Sequence, residues 1–248
     1  MKVGFIGLGK LGMPCAEVMA EYYDVTGYDI EKVYSDKVTI KQSIAEAVKD
    51  RDIIFVAVPT PHDPAYGGST PIAEKEPKDF NYNIVKVALD SIDSHVNHNQ
   101  LVVLISTVLP GTVRNHLVGH IKNARFIYNP YLIAMGSVAW DMVNPECLII
   151  GTQDGTETGD AKILVDFYKP LLKNNPEINI GTWDEAEAIK VFYNTFISVK
   201  IGLVNMIQDV AEANGNINVD VVTDALKKAT QRIVGPKYMT AGMGDGGA

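Results

Sequence analysis

A chain of 248 residues, 46% hydrophobic and 21% charged, has the make-up of an ordinary globular protein, long enough for a sizeable core and for more than one domain. Its net charge of −8 argues against nucleic acid as a partner, and short basic pairs such as Lys227-Lys228 read as a solvated helix face. No apolar run is long enough to span a membrane and the N-terminus runs straight into a strand without a signal peptide, so a cytoplasmic protein with no membrane partner is expected.

The chain opens with an apolar run, Val3-Gly4-Phe5-Ile6, and breaks at Gly7-Leu8-Gly9-Lys10-Leu11-Gly12. Helical periodicity follows from Met13 to Tyr22, and strand character returns before Asp29. This is a dinucleotide fingerprint in its proper setting. Gly7 permits the tight strand-to-helix turn, Gly9 lets the backbone approach a pyrophosphate, and Gly12 lets helix and strand pack closely. The helix start offers free N–H groups to the anion. Asp29, at the expected distance, would accept hydrogen bonds from the adenosine ribose and repel a 2′-phosphate, so NAD is favoured over NADP. Gly7, Leu8, Gly9, Lys10, Leu11, Gly12 and Asp29 are the first candidate cofactor contacts.

A short helix is expected from Ser43 to Val48, and Asp52 to Val58 reads as a buried strand because its apolar residues run without alternation. It stops at Pro59-Thr60-Pro61, where two prolines forbid both ladder and helix. In a doubly wound sheet this is a strand's carboxyl end, where ligands bind, which makes Pro59 and Thr60 further cofactor candidates; a turn threonine would equally stand there without a ligand. Residues 62–79, rich in Pro, Gly, Ser and charge, predict a long loop, either a lid or a tolerated insertion. A helix is expected from Asn81 to Ile92 and a strand from Leu101 to Ile105. Ser106 and Thr107 stand at that strand's end, where hydroxyls could bind a ligand or cap a helix beginning near Thr112. Strands are expected over 124–128, 147–150 and 178–180, and a helix over 158–172, with Pro170 ending or kinking it. Strands alternating with helices up to Gly181 predict an α/β fold, a parallel, right-handed, doubly wound Rossmann-like sheet over residues 1–181.

The pattern then changes. Thr182-Trp183-Asp184-Glu185 is a capping box, and no proline interrupts the chain from there to about Asn214. One long helix is predicted, followed by a second from Val219 to Thr230, so residues 182–248 read as an all-α domain ending in a glycine-rich tail. A helix of that length commonly forms a spine between domains or half of a subunit interface, and a homodimer through 182–214 is expected.

Cys15 and Cys147 have neither metal-ligand spacing nor a nearby partner and read as reduced, buried thiols. His62, His95, His98, His116 and His120 form no ligand or base constellation, so surface positions and no metal site are expected. Lys190 and Asn194, four apart on the long helix, project from one face, where an ammonium and a carboxamide could steady an alkoxide or a carbonyl oxyanion. Taken alone, the same pair is an ordinary solvated helix face.

In order and spacing these motifs resemble the nucleotide-sugar 6-dehydrogenases, typified by the UDP-glucose and GDP-mannose enzymes. The residues concerned are Gly7 to Gly12 with Asp29, Val58 to Pro61, Ser106-Thr107 with Pro110-Gly111-Thr112, Asn129-Pro130, Lys190 with Asn194, and Gly235-Pro236-Lys237 leading into Gly242 to Gly247. The resemblance implies that NAD takes two hydrides in succession from C6 of a nucleotide sugar, alcohol to aldehyde to acid, through a cysteine-bound thiohemiacetal and thioester. It implies that Lys190 and Asn194 stabilise the oxyanions and that Thr107 orders water or contacts the nicotinamide. Arg232 and Lys237 would approach the nucleotide sugar. Two departures are expected to matter. Where the family carries two glutamates after Asn-Pro this chain has Tyr131 and Met135, which cannot serve as carboxylate bases. The nucleophilic cysteine would fall just after Ala248, and neither Cys15 nor Cys147 matches it, so the chain is expected to be incomplete for the second oxidation. Two other classes compete: the β-hydroxyacid dehydrogenases, 6-phosphogluconate type included, and a non-catalytic NAD-binding dimerisation module.

Overall fold

In the computed structural model, which describes residues 1–69, 71, 73–157, 159–231, 233–235 and 239, the uninterrupted apolar runs are central strands covered on both faces. β1 (Lys2–Ile6), β2 (Asp24–Tyr28), β3 (Thr39–Ile40), β4 (Ile53–Val56), β5 (Leu101–Leu104), β6 (Arg125–Tyr128), β7 (Cys147–Thr152) and β8 (Glu177–Thr182) form one sheet in the order β3-β2-β1-β4-β5-β6-β7-β8. Alternate residues of each central strand serve opposite faces. Phe5, Phe55 and Val103 join a core with α1 (Gly12–Met19), α4 (Val138–Val143) and α5 (Asp160–Tyr168). Ile6, Ile54 and Val102 join a second core with α2 (Ile44–Val48) and α3 (Asn83–Asp93). With both faces dry there is no polar side to mark, which is why these strands do not alternate in sequence.

The chain goes from β1 outward to β2 and β3, then returns to the other side of β1 for β4, so the strand order reverses beside β1. The register pairs Ile6 with both Tyr28 and Val56, which brings the carboxyl ends of β1, β2 and β4 level at one edge of the sheet. Crevices at such reversals are where open α/β sheets bind ligands.

Three sequence expectations are corrected. The sheet is not wholly parallel: β7 runs antiparallel to β6, meeting it at Tyr128 and Gly151, while β8 is parallel to β7. A parallel pairing needs a crossover that carries the chain back along a sheet face. Residues 129–146 instead reverse it with only the six-residue α4 in between. The helix expected near Thr112 is a five-residue π turn, Val113–Leu117, followed by a 3-10 turn, Val118–His120. The Thr112 hydroxyl does not cap it but donates to Tyr82 Oη at 3.2 Å. Cys15 is fully buried, but Cys147 is only half-buried.

The 62–79 segment is loop apart from a 3-10 turn at Pro64–Tyr66, closed by an ion pair of Asp63 with Lys78 at 2.5 Å. The capping box forms: Thr182 N–H donates to Glu185 Oε2 at 2.7 Å and Glu185 N–H to Thr182 Oγ1 at 3.3 Å. It starts α6 (Trp183–Asn214), a helix of 32 residues.

Two compact units divide the chain, Met1–Phe192 and Tyr193–Ala248. The second holds the rest of α6 and α7 (Val219–Lys227), whose start is capped by Asn218 Oδ1 accepting from Asp220 N–H at 2.9 Å. Gly215, at φ +75°, ends α6. Phe196, Ile197, Leu203 and Met206 of this unit are large apolar residues with half or nearly half of their surface exposed. Among the described residues, no helix is long and apolar enough to cross a membrane.

Candidate active site

Within the first unit, a cleft of about 810 Å³ opens along the carboxyl edge of the sheet. Its floor is the glycine turn and the residues just past β2, β4 and β5; α3 supplies one wall, and Tyr131, Ile133 and Lys190 close one end. Gly7 takes φ +93°, a backbone conformation that strains any residue with a Cβ. A Cβ on Gly12 would lie 1.8 Å from the carbonyl oxygen of Gly7, so the start of α1 can approach the turn only as glycine.

Asp29 follows β2 directly and reaches back to this turn. Its Oδ2 accepts from Leu8 N–H at 2.6 Å and its Oδ1 from Glu31 N–H at 2.9 Å. The carboxylate therefore holds the glycine turn and the end of β2 together as well as lining the cleft. Gly7, Gly9, Lys10, Leu11, Gly12 and Asp29 all line it. Leu8 does not: its side chain is buried in the core and its N–H is taken by Asp29.

At the ends of β4 and β5 the hydroxyls bind main chain instead of capping a helix. Ser106 Oγ donates to Val58 C=O at 2.6 Å and Thr60 Oγ1 to Thr107 C=O at 2.7 Å. These bonds tie the two strand-end loops into one rigid rim, on which Pro59, Thr60, Ser106 and Thr107 all line the cleft.

Lys190 is not on a solvated face. It is only 9% exposed, lines the cleft, and donates from Nζ to the main-chain carbonyl of Tyr131 at 2.7 Å. Burial holds its ammonium below the usual lysine pKa, because loss of hydration penalises the charged form. An ammonium with one neutral partner in an otherwise apolar wall is poised to stabilise negative charge on a reacting oxygen.

The Tyr131 side chain turns away from Lys190. Tyr168 Oη donates to Asn129 Oδ1, and Asn129 Nδ2 donates to Ile149 C=O at 2.6 Å. The single Tyr168 proton being committed, Tyr131 must donate to Tyr168, their oxygens 2.6 Å apart. Burial pushes the Tyr131 phenol well above its ordinary pKa, and no base can be made of it at neutral pH. Met135 is exposed.

The first turns of α6 carry Lys190 and are fastened to the sheet. Trp183 meets Phe126 edge to face at 6.1 Å, and Arg114 pairs with Asp184 at 2.7 Å. One turn before Lys190, the carboxylate of Glu187 is fully buried and accepts from the N–H groups of Gly111 at 2.5 Å and Val113 at 2.7 Å. Burial pushes its pKa up to about 7 against the pull of those two donors. Sequence reasoning missed Glu187. The available signal was a glutamate between two alanines, three residues before Lys190 on a helix.

Asn194 lies on the same helix but belongs to the second unit, where it is exposed. Arg232, Lys237 and the glycines from 242 onward lie outside the described residues, as does Thr158, the start expected for α5.

Residues 30–172 match the NAD binding domain of the UDP-glucose/GDP-mannose dehydrogenase family, and residues 184–248 match the central domain of the same family. The UDP-glucose 6-dehydrogenase TuaD of Bacillus subtilis is 30% identical over 230 residues, covering 88% of this chain and 44% of that protein. The UDP-glucose 6-dehydrogenase of Rickettsia bellii is 28% identical over 207 residues, covering 82% of this chain and 43% of that protein. The chain thus spans about half the length of the curated relatives it matches. A GDP-mannose dehydrogenase from Pseudomonas aeruginosa, solved as a ternary complex, superposes with a TM-score of 0.83 over 98% of this chain and 60% of that one, and at 21% identity it establishes the shared fold. A glycine turn on a doubly wound sheet, a buried lysine at the end of its cleft and two consecutive family matches lead to one conclusion: the chain belongs to the UDP-glucose/GDP-mannose dehydrogenase family and carries its NAD-binding domain.

Proposed function

We propose that this protein oxidises the C6 alcohol of a nucleotide sugar, UDP-glucose or one like it, towards the uronic acid. The observation that carries the reading is Lys190, a buried ammonium at the end of the cleft, held by Tyr131 C=O at 2.7 Å. Bound NAD supplies the hydride acceptor. The residues present fit it. A Cβ on Gly9 would meet nothing within 4 Å, so there is open space for an anion in front of the α1 amino terminus, at the positive end of the helix, although Met13 N–H there is already held by Gly9 C=O at 3.0 Å. Ile30 and Val87, 86% and 65% exposed, offer apolar walls to a flat ring beside Asp29.

In this reading the turn from Gly7 to Gly12 holds the pyrophosphate and Asp29 the ribose hydroxyls. Pro59, Thr60, Ser106 and Thr107 frame the nicotinamide, and Lys190 holds the negative charge that develops on the sugar's C6 oxygen. Asn194 adds a second donor, on the strength of its spacing from Lys190 in sequence, and Arg232 and Lys237 approach the nucleotide sugar. Tyr131 and Met135 supply no carboxylate for thioester hydrolysis, and the step in which Lys190 and Asn194 act directly is the first oxidation, alcohol to aldehyde. The functional division falls at 181/182, between an NAD-binding part and a helical central part. The exposed apolar residues of α6 support a homodimer through 182–214, and a cytoplasmic location is part of the same proposal.

The test is calorimetric titration with NAD and NADP, then NADH formation followed by absorbance with UDP-glucose, GDP-mannose and small 3-hydroxy acids. The expected result is NAD binding, preferred over NADP, and reduction with a nucleotide sugar alone. Reduction with a 3-hydroxy acid alone would sink the proposal. NAD binding without turnover on any alcohol would favour the non-catalytic module.

A further inference from the structure

We propose that Glu187 is the positioning residue of this site: its buried carboxylate, clamped by the N–H groups of Gly111 and Val113, sets the rotation and depth of α6 and thereby holds Lys190 in the cleft. The proposal rests on the reading that Lys190 acts on the substrate oxygen, and it adds what keeps Lys190 there.

Three observations carry it. First, Glu187 is 0% exposed and has two donors from one short stretch of main chain, at 2.5 and 2.7 Å. A carboxylate removed from water is costly unless such donors replace its hydration, and attachment alone does not need one. The neighbouring Arg114–Asp184 pair fastens the same helix start to the same turn from the exposed surface. What a two-pronged buried acceptor adds is a fixed distance. Second, each end of the clamp is a few residues along the chain from a residue that lines the cleft. Gly111 lies four residues beyond Thr107, whose carbonyl accepts from Thr60, and Lys190 lies three residues beyond Glu187, with its Nζ on Tyr131 C=O. Three hydrogen bonds, Thr60 to Thr107, Gly111 to Glu187 and Lys190 to Tyr131, joined by two short stretches of chain, thus connect the rim at Thr60 and Thr107 with Lys190. Third, Gly111 presents its N–H from φ +86°, so this stretch is shaped around the carboxylate at a conformation that favours glycine.

The groups facing Glu187 are Asp184 on its own helix and Arg114 and Tyr128 from the elements packed against it. Its carboxyl titrates at about 7, so the clamp changes state near neutrality.

The experiment uses the full-length protein, its Glu187→Gln and Glu187→Asp variants, and Arg114→Ala as a control that removes only the exposed pair. Three quantities are measured: NAD affinity, the rate at which an amine-acylating reagent labels Lys190 relative to an exposed lysine, and the pH profile of kcat and KM with the nucleotide sugar. Glutamine keeps the shape but puts an N–H donor against one of the two N–H groups. Glu187→Gln is expected to leave NAD affinity unchanged and to raise Lys190 labelling several-fold. It should lower kcat by about tenfold to a hundredfold with KM little altered, as a small misplacement of a reacting group does. It should also abolish the acid limb of kcat near pH 7, which a merely structural role would leave in place. Glu187→Asp keeps the charge one methylene short, and it decides the matter by the same labelling if the glutamine variant does not fold. Arg114→Ala should match the wild type in labelling and keep the acid limb, moved to higher pH because the Arg114 charge no longer favours the Glu187 carboxylate. Unchanged labelling in both Glu187 variants, or an unchanged acid limb in Glu187→Gln, would overturn the proposal. A wild type that binds no NAD or oxidises no nucleotide sugar would sink the functional reading instead, and the labelling comparison would still report on the clamp.

Discussion

Leu8 donates its main-chain N–H to the carboxylate of Asp29 at 2.6 Å, joining the turn after β1 to the end of β2. The acid proposed to receive the ribose therefore also braces the turn proposed to receive the pyrophosphate. Asp29→Ala is expected to weaken NAD binding by about 1–3 kcal/mol and to leave the Leu8 N–H unpaired. Calorimetric titration measures the first effect and the shift in Tm without ligand the second. Unchanged affinity would count against the cofactor assignment, and an unchanged Tm against the bracing role.

Lys190 must carry its proton to stabilise an oxyanion, and burial lowers the pKa at which it gives that proton up. Turnover should therefore fall on the alkaline side at a pH below the ordinary lysine value. Lys190→Ala should abolish turnover while leaving NAD affinity unchanged, because the side chain acts beyond the dinucleotide's binding turn. A variant that turns over as fast as the wild type would remove Lys190 from the mechanism.

The Tyr131–Tyr168–Asn129 chain makes a prediction about stability alone. Tyr168→Phe removes the middle hydroxyl and strands two buried groups, Tyr131 Oη and Asn129 Oδ1. The expected cost is about 1–3 kcal/mol, read as a lower urea midpoint at unchanged m-value. An unchanged midpoint would mean that water takes the place of the hydroxyl.

Glu187 gives stability a pH dependence with a definite sign. Its carboxyl has an ordinary value of 4.5 in the unfolded chain and about 7 in the fold. Between those values the unfolded chain has already lost the proton that the folded chain keeps, so stability falls as pH rises through the window, by about 3 kcal/mol in all. Below the window both states are protonated and the effect vanishes. Urea unfolding at about pH 5 and about pH 8 should show the fall in the wild type and its loss in Glu187→Gln. The same slope in both proteins would assign it to another group.

Local chemistry made much of this protein legible in its sequence. The glycine turn, the doubly dry strands, Asp29 after β2 and the Thr182–Glu185 capping box each write their reason within a few residues, as a forced φ, an unbroken apolar run or a side chain returning to its own helix start. The family resemblance followed from the order of such local signals. The reversal of β7 did not, because periodicity reports how a strand is buried and carries no direction.

The active end of the cleft was the least legible. Lys190 and Asn194 looked alike as polar residues one turn apart, yet Lys190 is buried against a carbonyl 59 residues away. Glu187 answers two N–H groups 76 and 74 residues before it. Main-chain donors and acceptors are the same at every residue and leave no mark on a sequence. Sequence alone therefore determined the sheet, the dinucleotide turn and the long helix, whose causes are local. Which buried charge meets which stretch of backbone was decided only when packing removed both from water.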